Sequence, residues 1–202
     1  MTRKYQTIYE FLTNPFRGTN NVAKLTEYDS KYRAFVAANK ISVSAVTEIE
    51  KSVYIHVKVP SESQKNENYF YDVVIRFFTE DEMMASQSSL SPYYIQFFSN
   101  SPSFMYQYAY LYNKEGFLIE ALYDKLDADY IDTPPEKTNA KMTISFDKSI
   151  YFACRYLQDN KFRYLTKTSG MFMLKKKPSA TFFKEISDFK SVKFDQAVIT
   201  EE

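Results

Sequence analysis

The stretch SNSPSFMYQYAYLYNKEGFL (residues 99–118) can be read in two periods, and the choice between them decides the fold. Phe104, Tyr106, Tyr108, Tyr110 and Tyr112 alternate with Met105, Gln107, Ala109 and Leu111, which is the period of a strand. The ends carry helix signals instead. Ser101 is an N-cap type, and Pro102 follows at the first helical position, where its missing N–H costs nothing. Gly116 stands where a left-handed C-terminal cap would fall. Caps at both ends predict a helix over 102–113. Phe104, Tyr108, Leu111 and Tyr112 then share one face, bordered by Met105, while Tyr106 and Tyr110 lie off it. Tyrosine joins an apolar ring to a hydroxyl that needs a partner. Rings on more than one side of a helix predict burial on more than one side, in the fold or against another chain. Tyr106 and Tyr110 are therefore candidate interface aromatics.

Upstream, RKYQTIYEFL (3–12) places Tyr5, Ile8, Tyr9 and Leu12 at helical spacing and predicts a short helix ended by Asn14-Pro15. A second helix is predicted over about 22–38, with Asn20 or Asn21 as its cap. The period then changes. KISVSAVTEI, SVYIHVKV, YFYDVVIRFF and YYIQFFSN read as four strands joined by short or polar links, which predicts an antiparallel meander. Downstream, FLIEALYDKL (117–126) reads as a helix and DADYIDTPPEKTNAKM as a loop, since paired prolines forbid a helix at 134–135. SFDKSIYFACRYLQDN reads as a helix capped by Ser145 or Asp147. KFRYLTKTSGMFMLKKKP is ambiguous, with short extended pieces. SATFFKEISDFKS reads as a helix capped by Ser179. Together these predict a single α+β domain over 1–202: a four-stranded antiparallel meander (about 41–99) flanked by an N-terminal helical pair and C-terminal helices. The tail VKFDQAVITEE suggests an extended C-terminal arm over about 190–202.

Composition sets bounds. The chain has 202 residues, of which 45% are hydrophobic and 18% aromatic, all Phe and Tyr. The net charge of +1 argues against a wholly electrostatic nucleic-acid binder. A single cysteine, Cys154, excludes an internal disulfide. No apolar run has the length of a signal peptide or a membrane span, so a soluble protein with no membrane partner is expected. Charge is segregated. Residues 113–136 hold seven acids and two lysines, a balance of −5; residues 161–193 hold nine bases and two acids, a balance of +7. Two solvated faces are the plain reading, and complementary patches the sharper one.

Catalytic patterns are missing. His56 stands alone in mid-strand, and Cys154 falls on the apolar face of a predicted helix. A His56–Cys154 pair would be the one nucleophilic constellation available. Neither residue belongs to a zinc set, and Asp124, Asp127, Asp129 and Asp132 lack the EF-hand spacing. No enzyme activity, cofactor or metal is expected. Arg163, Lys167, Lys175, Lys176 and Lys177, interleaved with Phe162, Tyr164, Phe172, Phe182 and Phe183, form a candidate assembly or DNA-proximal basic patch.

From YYIQFFSNSPSFMYQYAYLYNKEGFLIEALYDKL to DKSIYFACRYL, with its double proline between, residues 93–157 resemble small structural proteins of the capsid, neck and tail of tailed bacteriophages. That resemblance implies a virion subunit, assembled in the host cytoplasm, that packs against copies of itself and other virion proteins. It carries over no catalytic residue. A phage-encoded nucleic-acid-binding or host-interacting protein, acting through 161–193, is the alternative.

Overall fold

The computed structural model of the chain describes residues 5–18, 22–38, 40–61, 69–80, 88–166 and 176–192. Its centre is a four-stranded antiparallel sheet in the order β1 (Ser42–Ile49), β2 (Ser52–Pro60), β3 (Phe70–Phe78), β4 (Tyr94–Ser99). N-terminal and C-terminal helices flank it, so the class is α+β with the meander read from the sequence. Period-two alternation sends Val53, Ile55, Val57 and Val59 of β2 to one face and Tyr54, His56 and Lys58 to the other. Almost every position of β2 and β3 is buried, so both faces of the sheet are covered. In β1 the register shifts between Val43 and Ala45, and the bulge turns Val43 and Val46 to the same side.

The valine face carries most of the helices. In α1 (Ile8–Thr13), Phe11 lies 4.8 Å from the Phe97 ring of β4. This helix starts later than its apolar spacing suggests, because Thr7 caps it in a reciprocal box with Glu10. α2 (Val22–Ala37) lies as a second layer, with Tyr28 and Phe35 against Phe152 of α6 (Lys148–Asp159). The residues expected to cap α2, Asn20 and Asn21, lie outside the described set. Asp147, one of two expected caps, caps α6: its carboxylate accepts from Ser149 N at 2.8 Å and Ile150 N at 3.3 Å. The other sheet face is covered by α8 (Ser179–Lys184), whose Phe182 reaches the rings of Tyr54 and His56. Ser179 is the first residue of that helix rather than its cap, which is Pro178. The arm expected over 190–202 lies outside the described residues beyond Val192.

Residues 99–118 are helical, with one correction. The predicted single helix is two: α3 (Pro102–Gln107), capped by Ser101 through Phe104 N, and α4 (Ala109–Glu115). Tyr108 leaves helical geometry between them at φ −128°, ψ −23°. Gly116 takes the left-handed cap at φ 77°, which a Cβ would disfavour. The reading of 117–126 as a helix is also corrected. Phe97 N donates to Phe117 O at 2.8 Å, and Ile119 N to Phe97 O at 3.1 Å. That short parallel bridge along β4 leaves only a 3-10 turn, Glu120–Lys125. Within the expected loop the chain forms one helical turn, α5 (Ala128–Asp132), capped by Asp127. α7 (Lys161–Tyr164) is a further short turn in the segment whose reading was ambiguous.

Other segments bond to both sheet edges, along β4 and at one point on β1. Ile95 N donates to Gln6 O at 3.0 Å beside the Phe97 bridge on β4, and Lys177 N donates to Val46 O at 2.7 Å on β1. The β4 edge, bonded at Ile95 and at both backbone groups of Phe97, offers few free backbone groups for another strand to pair with.

Tyr112 is the aromatic hub. It is fully buried, its hydroxyl donates to Ser145 O at 2.9 Å, and Phe16, Phe97, Phe104 and Phe117 surround it. Burial raises the Tyr112 hydroxyl well above the ordinary 10.0. Phe16 reaches the hub from a left-handed backbone, φ 51°, uncommon for a bulky residue. Gln6 steadies that turn by accepting from Phe16 N at 2.7 Å. Because Phe104 is completely buried against Tyr112, Phe104→Ala is expected to cost about 3–5 kcal/mol of folding stability. Urea unfolding of the two proteins measures this, and a loss well under about 1 kcal/mol would contradict the placement.

Candidate functional site: a tyrosine–proline groove

The break at Tyr108 builds a groove. Around it, the carbonyl of Tyr106 accepts from Thr138 Oγ1, and that of Gln107 from Asn139 Nδ2 at 3.1 Å. Asn139 holds its own turn through Thr143, accepting from its N–H and donating to its carbonyl. These bonds pull the loop after α5 back across the helix break. Between them lies a concavity of about 550 Å³. Its walls are Tyr106, Tyr108, Tyr110, Tyr130, Pro134 and Pro135. Asp129, Glu136 and Lys137 line it as well, all exposed. Proline fixes φ, so the diproline wall is stiff before anything binds.

Both candidate interface tyrosines lie here. The Tyr106 ring meets Tyr130 at 4.8 Å and Phe189 at 5.6 Å, edge to face. Burial, then Tyr130, raises its hydroxyl above the ordinary 10.0. Tyr110 is half-buried. Phe104, Tyr108 and Leu111 are buried in the fold, so most of the rings on this stretch are used within the chain.

The candidate basic patch is less open than its sequence suggests. Lys176 pairs with Glu48 at 2.7 Å, and Lys177 with Glu185 at 2.6 Å. Lys190 lies 3.8 Å from Asp127, so the basic and acidic segments touch within one chain. Arg163 is exposed on α7; Lys167 and Lys175 lie outside the described residues. The patch and the tyrosine groove are joined near the Lys190–Asp127 pair, since Asp127 caps α5 and Phe189 packs on Tyr106.

A second concavity, also about 550 Å³, lies where α3 and α6 begin. Asp147 and Ser101 already hold the helix N-termini there through their own caps.

A buried polar centre escaped the sequence reading. Asp72, 1% exposed, lies on the same sheet face as His56 and Lys58. Its Oδ1 is 2.7 Å from His56 Nε2 and 2.6 Å from Lys58 Nζ. Its Oδ2 accepts from Ser187 N at 2.9 Å. Asn100 completes the knot, accepting from Asp72 N at 2.8 Å and donating to Ser187 O at 3.3 Å. A carboxylate can only accept, so His56 Nε2 carries the proton. His56 Nδ1 is buried with no hydrogen-bond partner among the described residues. The cation opposite Asp72 was legible, because Lys58 is its register partner once β2 and β3 are paired.

The His56–Cys154 pair does not form. His56 points toward α8, while Cys154 lies on α6, which packs on the valine face through the Ser99–Ser149 bond. The sheet stands between them. Burial raises the Cys154 thiol well above its ordinary 9.0. Among the described residues no group of three or more His, Cys, Asp or Glu is placed to hold a metal ion. No helix among them is long and apolar enough to cross a membrane. Compared with protein-family models, with curated proteins and with solved structures, the chain matches none.

Burial alone would raise the Asp72 carboxyl, but hydrogen bonds and charge from His56 and then Lys58 overcome it and hold it at about 2, below the ordinary 3.8. A depressed acid stabilises the fold above its unfolded value and loses that stabilisation as pH falls through the folded one. The wild type should therefore lose stability between pH 3.8 and about 2. Asp72→Ala strands a buried histidine and should cost about 3 kcal/mol at neutral pH, with a flatter acid limb. Thermal melts of both proteins across that range check it; parallel acid limbs would contradict the clamp.

Proposed function

We propose that the chain is a structural subunit of a tailed-phage virion, most simply a head–tail connector (neck) or tail component, working by protein–protein assembly. The observation that carries this reading is the tyrosine–proline groove. It is an open, mainly apolar concavity with a charged rim, and aromatic rings of this kind are enriched in the cores of protein interfaces. All of its lining residues lie between 105 and 138, inside the segment 93–157 that resembles phage capsid, neck and tail proteins. The buried ionisable groups are engaged elsewhere: Asp72 and His56 fasten the fold, and Cys154 is sealed in the core.

The alternative, a nucleic-acid-binding or host-interacting protein working through 161–193, rests on lysines that already face carboxylates of the same chain at 176, 177 and 190. Proximity to DNA inside a particle needs no more than such partly neutralised charge, since phosphate contacts position without reading sequence.

With the β4 edge covered, contacts with neighbours fall largely to side-chain surfaces, in the head-to-tail manner that closes rings. Purified virions should contain the chain by mass spectrometry, and native mass spectrometry of the isolated protein should show a homo-oligomer at high concentration. A protein that stays monomeric and is absent from particles would overturn the assembly role.

A further inference from the structure

We infer that the groove between the α3–α4 break and the diproline loop docks an extended, proline-containing basic segment of a different polypeptide. This deepens the assembly role proposed above and rests on it. Three observations select the occupant.

The walls come first. Tyrosine rings beside rigid prolines make a ridged apolar trough, suited to a polyproline-type chain that is already extended and loses little entropy on docking. A trough of about 550 Å³ has room for a few side chains, not for a helix lying along its length.

The rim comes second. Asp129 and Glu136 line the groove, and Asp132 lies one turn along α5 from Asp129. Among the described residues none of the three forms an ion pair, whereas Asp127 and Asp124 have lysines near them. Lys137 is the one base on the lining. The net negative rim favours arginine or lysine beside the apolar contacts.

Third, the chain's own segments are poor occupants. Lys176 and Lys177 face Glu48 and Glu185 of the same chain, and releasing them would expose those carboxylates. The C-terminal sequence after Val192 carries one lysine, Lys193, against Asp195, Glu201 and Glu202, the wrong sign for this rim. These two segments of a second copy are thereby disfavoured, and the rim charge favours a basic segment of a different polypeptide.

The test uses the full chain and a fluorescein-labelled proline-rich peptide carrying two arginines, read by fluorescence anisotropy at physiological salt. Saturable binding is expected. Glu136→Lys combined with Asp129→Lys, both at exposed positions, should weaken it about tenfold or more, and so should Tyr110→Ala. Circular dichroism melts confirm that the charge variant remains folded, so it serves where Tyr110→Ala does not fold. A peptide with glutamates for arginines, and one with alanines for prolines, should each bind at least about tenfold more weakly. The inference is overturned if no saturable binding occurs, if an arginine peptide without prolines binds equally well, or if the variants bind like wild type. It is also overturned if Glu136→Lys dissociates a homo-oligomer, which would assign the groove to a second copy. Presence of the chain in virions together with failed peptide binding would remove the groove assignment and leave the assembly role standing. Peptide binding by a chain absent from virions would do the reverse.

Discussion

One carboxylate fastens two layers of this protein together. The sheet is buried on both faces, and part of the face opposite the helical layers is covered by a short helix, α8, and the turn that follows it. Asp72 ties that turn down through Ser187 N, while Lys58 from the neighbouring strand supplies a cation and His56 Nε2 a hydrogen bond. A buried charge is costly unless paired and hydrogen-bonded. The arrangement meets that condition by giving both oxygens of Asp72 partners, with Asn100 bridging to the same turn. Position follows from this bond set. Without it, the segment keeps the Lys177 bond to β1 and the apolar contacts of Phe182 and Phe189, but loses the directional bonds that fix the turn at Ser187. Phe189 then touches Tyr106, so the same clamp bears on one wall of the groove.

The aromatic content acquires a physical account. Eighteen tyrosines and eighteen phenylalanines look like more than one core requires. Among the described residues, however, only Tyr9 and Tyr130 are exposed large hydrophobics. Many of the remaining rings form one continuous network of edge-to-face and tilted pairs, from Tyr28 and Phe152 across Phe146 and Phe11 to Phe97 and Tyr112. Such pairs add about 0.5–1.5 kcal/mol beyond the area they bury. Much of the ring surplus therefore fills the interior, and Tyr106, Tyr110 and Tyr130 are three half-buried or exposed rings that share one groove. An interface argued from that local concentration is narrower than one argued from composition, and better defined.

Local signals made the strands legible and part of the helices. Alternation in SVYIHVKV and YFYDVVIRFF gave strands because each residue's side is set by its own backbone. Ser101-Pro102 and Gly116 bounded the next segment for the same local reason. The break at Tyr108 was not legible: tyrosine has ordinary helix propensity, and the groups that accept the broken geometry, Thr138 and Asn139, lie thirty residues away. FLIEALYDKL misled in a similar way. Its apolar spacing is helical, but Leu118 and its neighbours bond to the edge of β4, and that tertiary bridge outweighs propensity. The groove shares this character. Tyr106 and Tyr110 could be singled out as rings off the helix face, but the proline wall opposite them exists only after the loop has folded back.

A covered β4 edge and an open groove constrain association in a consistent direction. A bare edge strand joins any chain that offers a backbone, because main-chain hydrogen bonds carry little sequence information. Here Gln6, Phe117 and Ile119 engage β4, and Lys177 engages β1, which limits that indiscriminate route. Recognition then falls to side chains, where shape and charge can discriminate between partners. The groove has both: rigid rings and prolines set the shape, and Asp129 and Glu136 set the sign. Because the loop that forms one wall is held by bonds to the carbonyls of Tyr106 and Gln107, the trough is formed before a partner arrives, and little ordering entropy is left for binding to overcome.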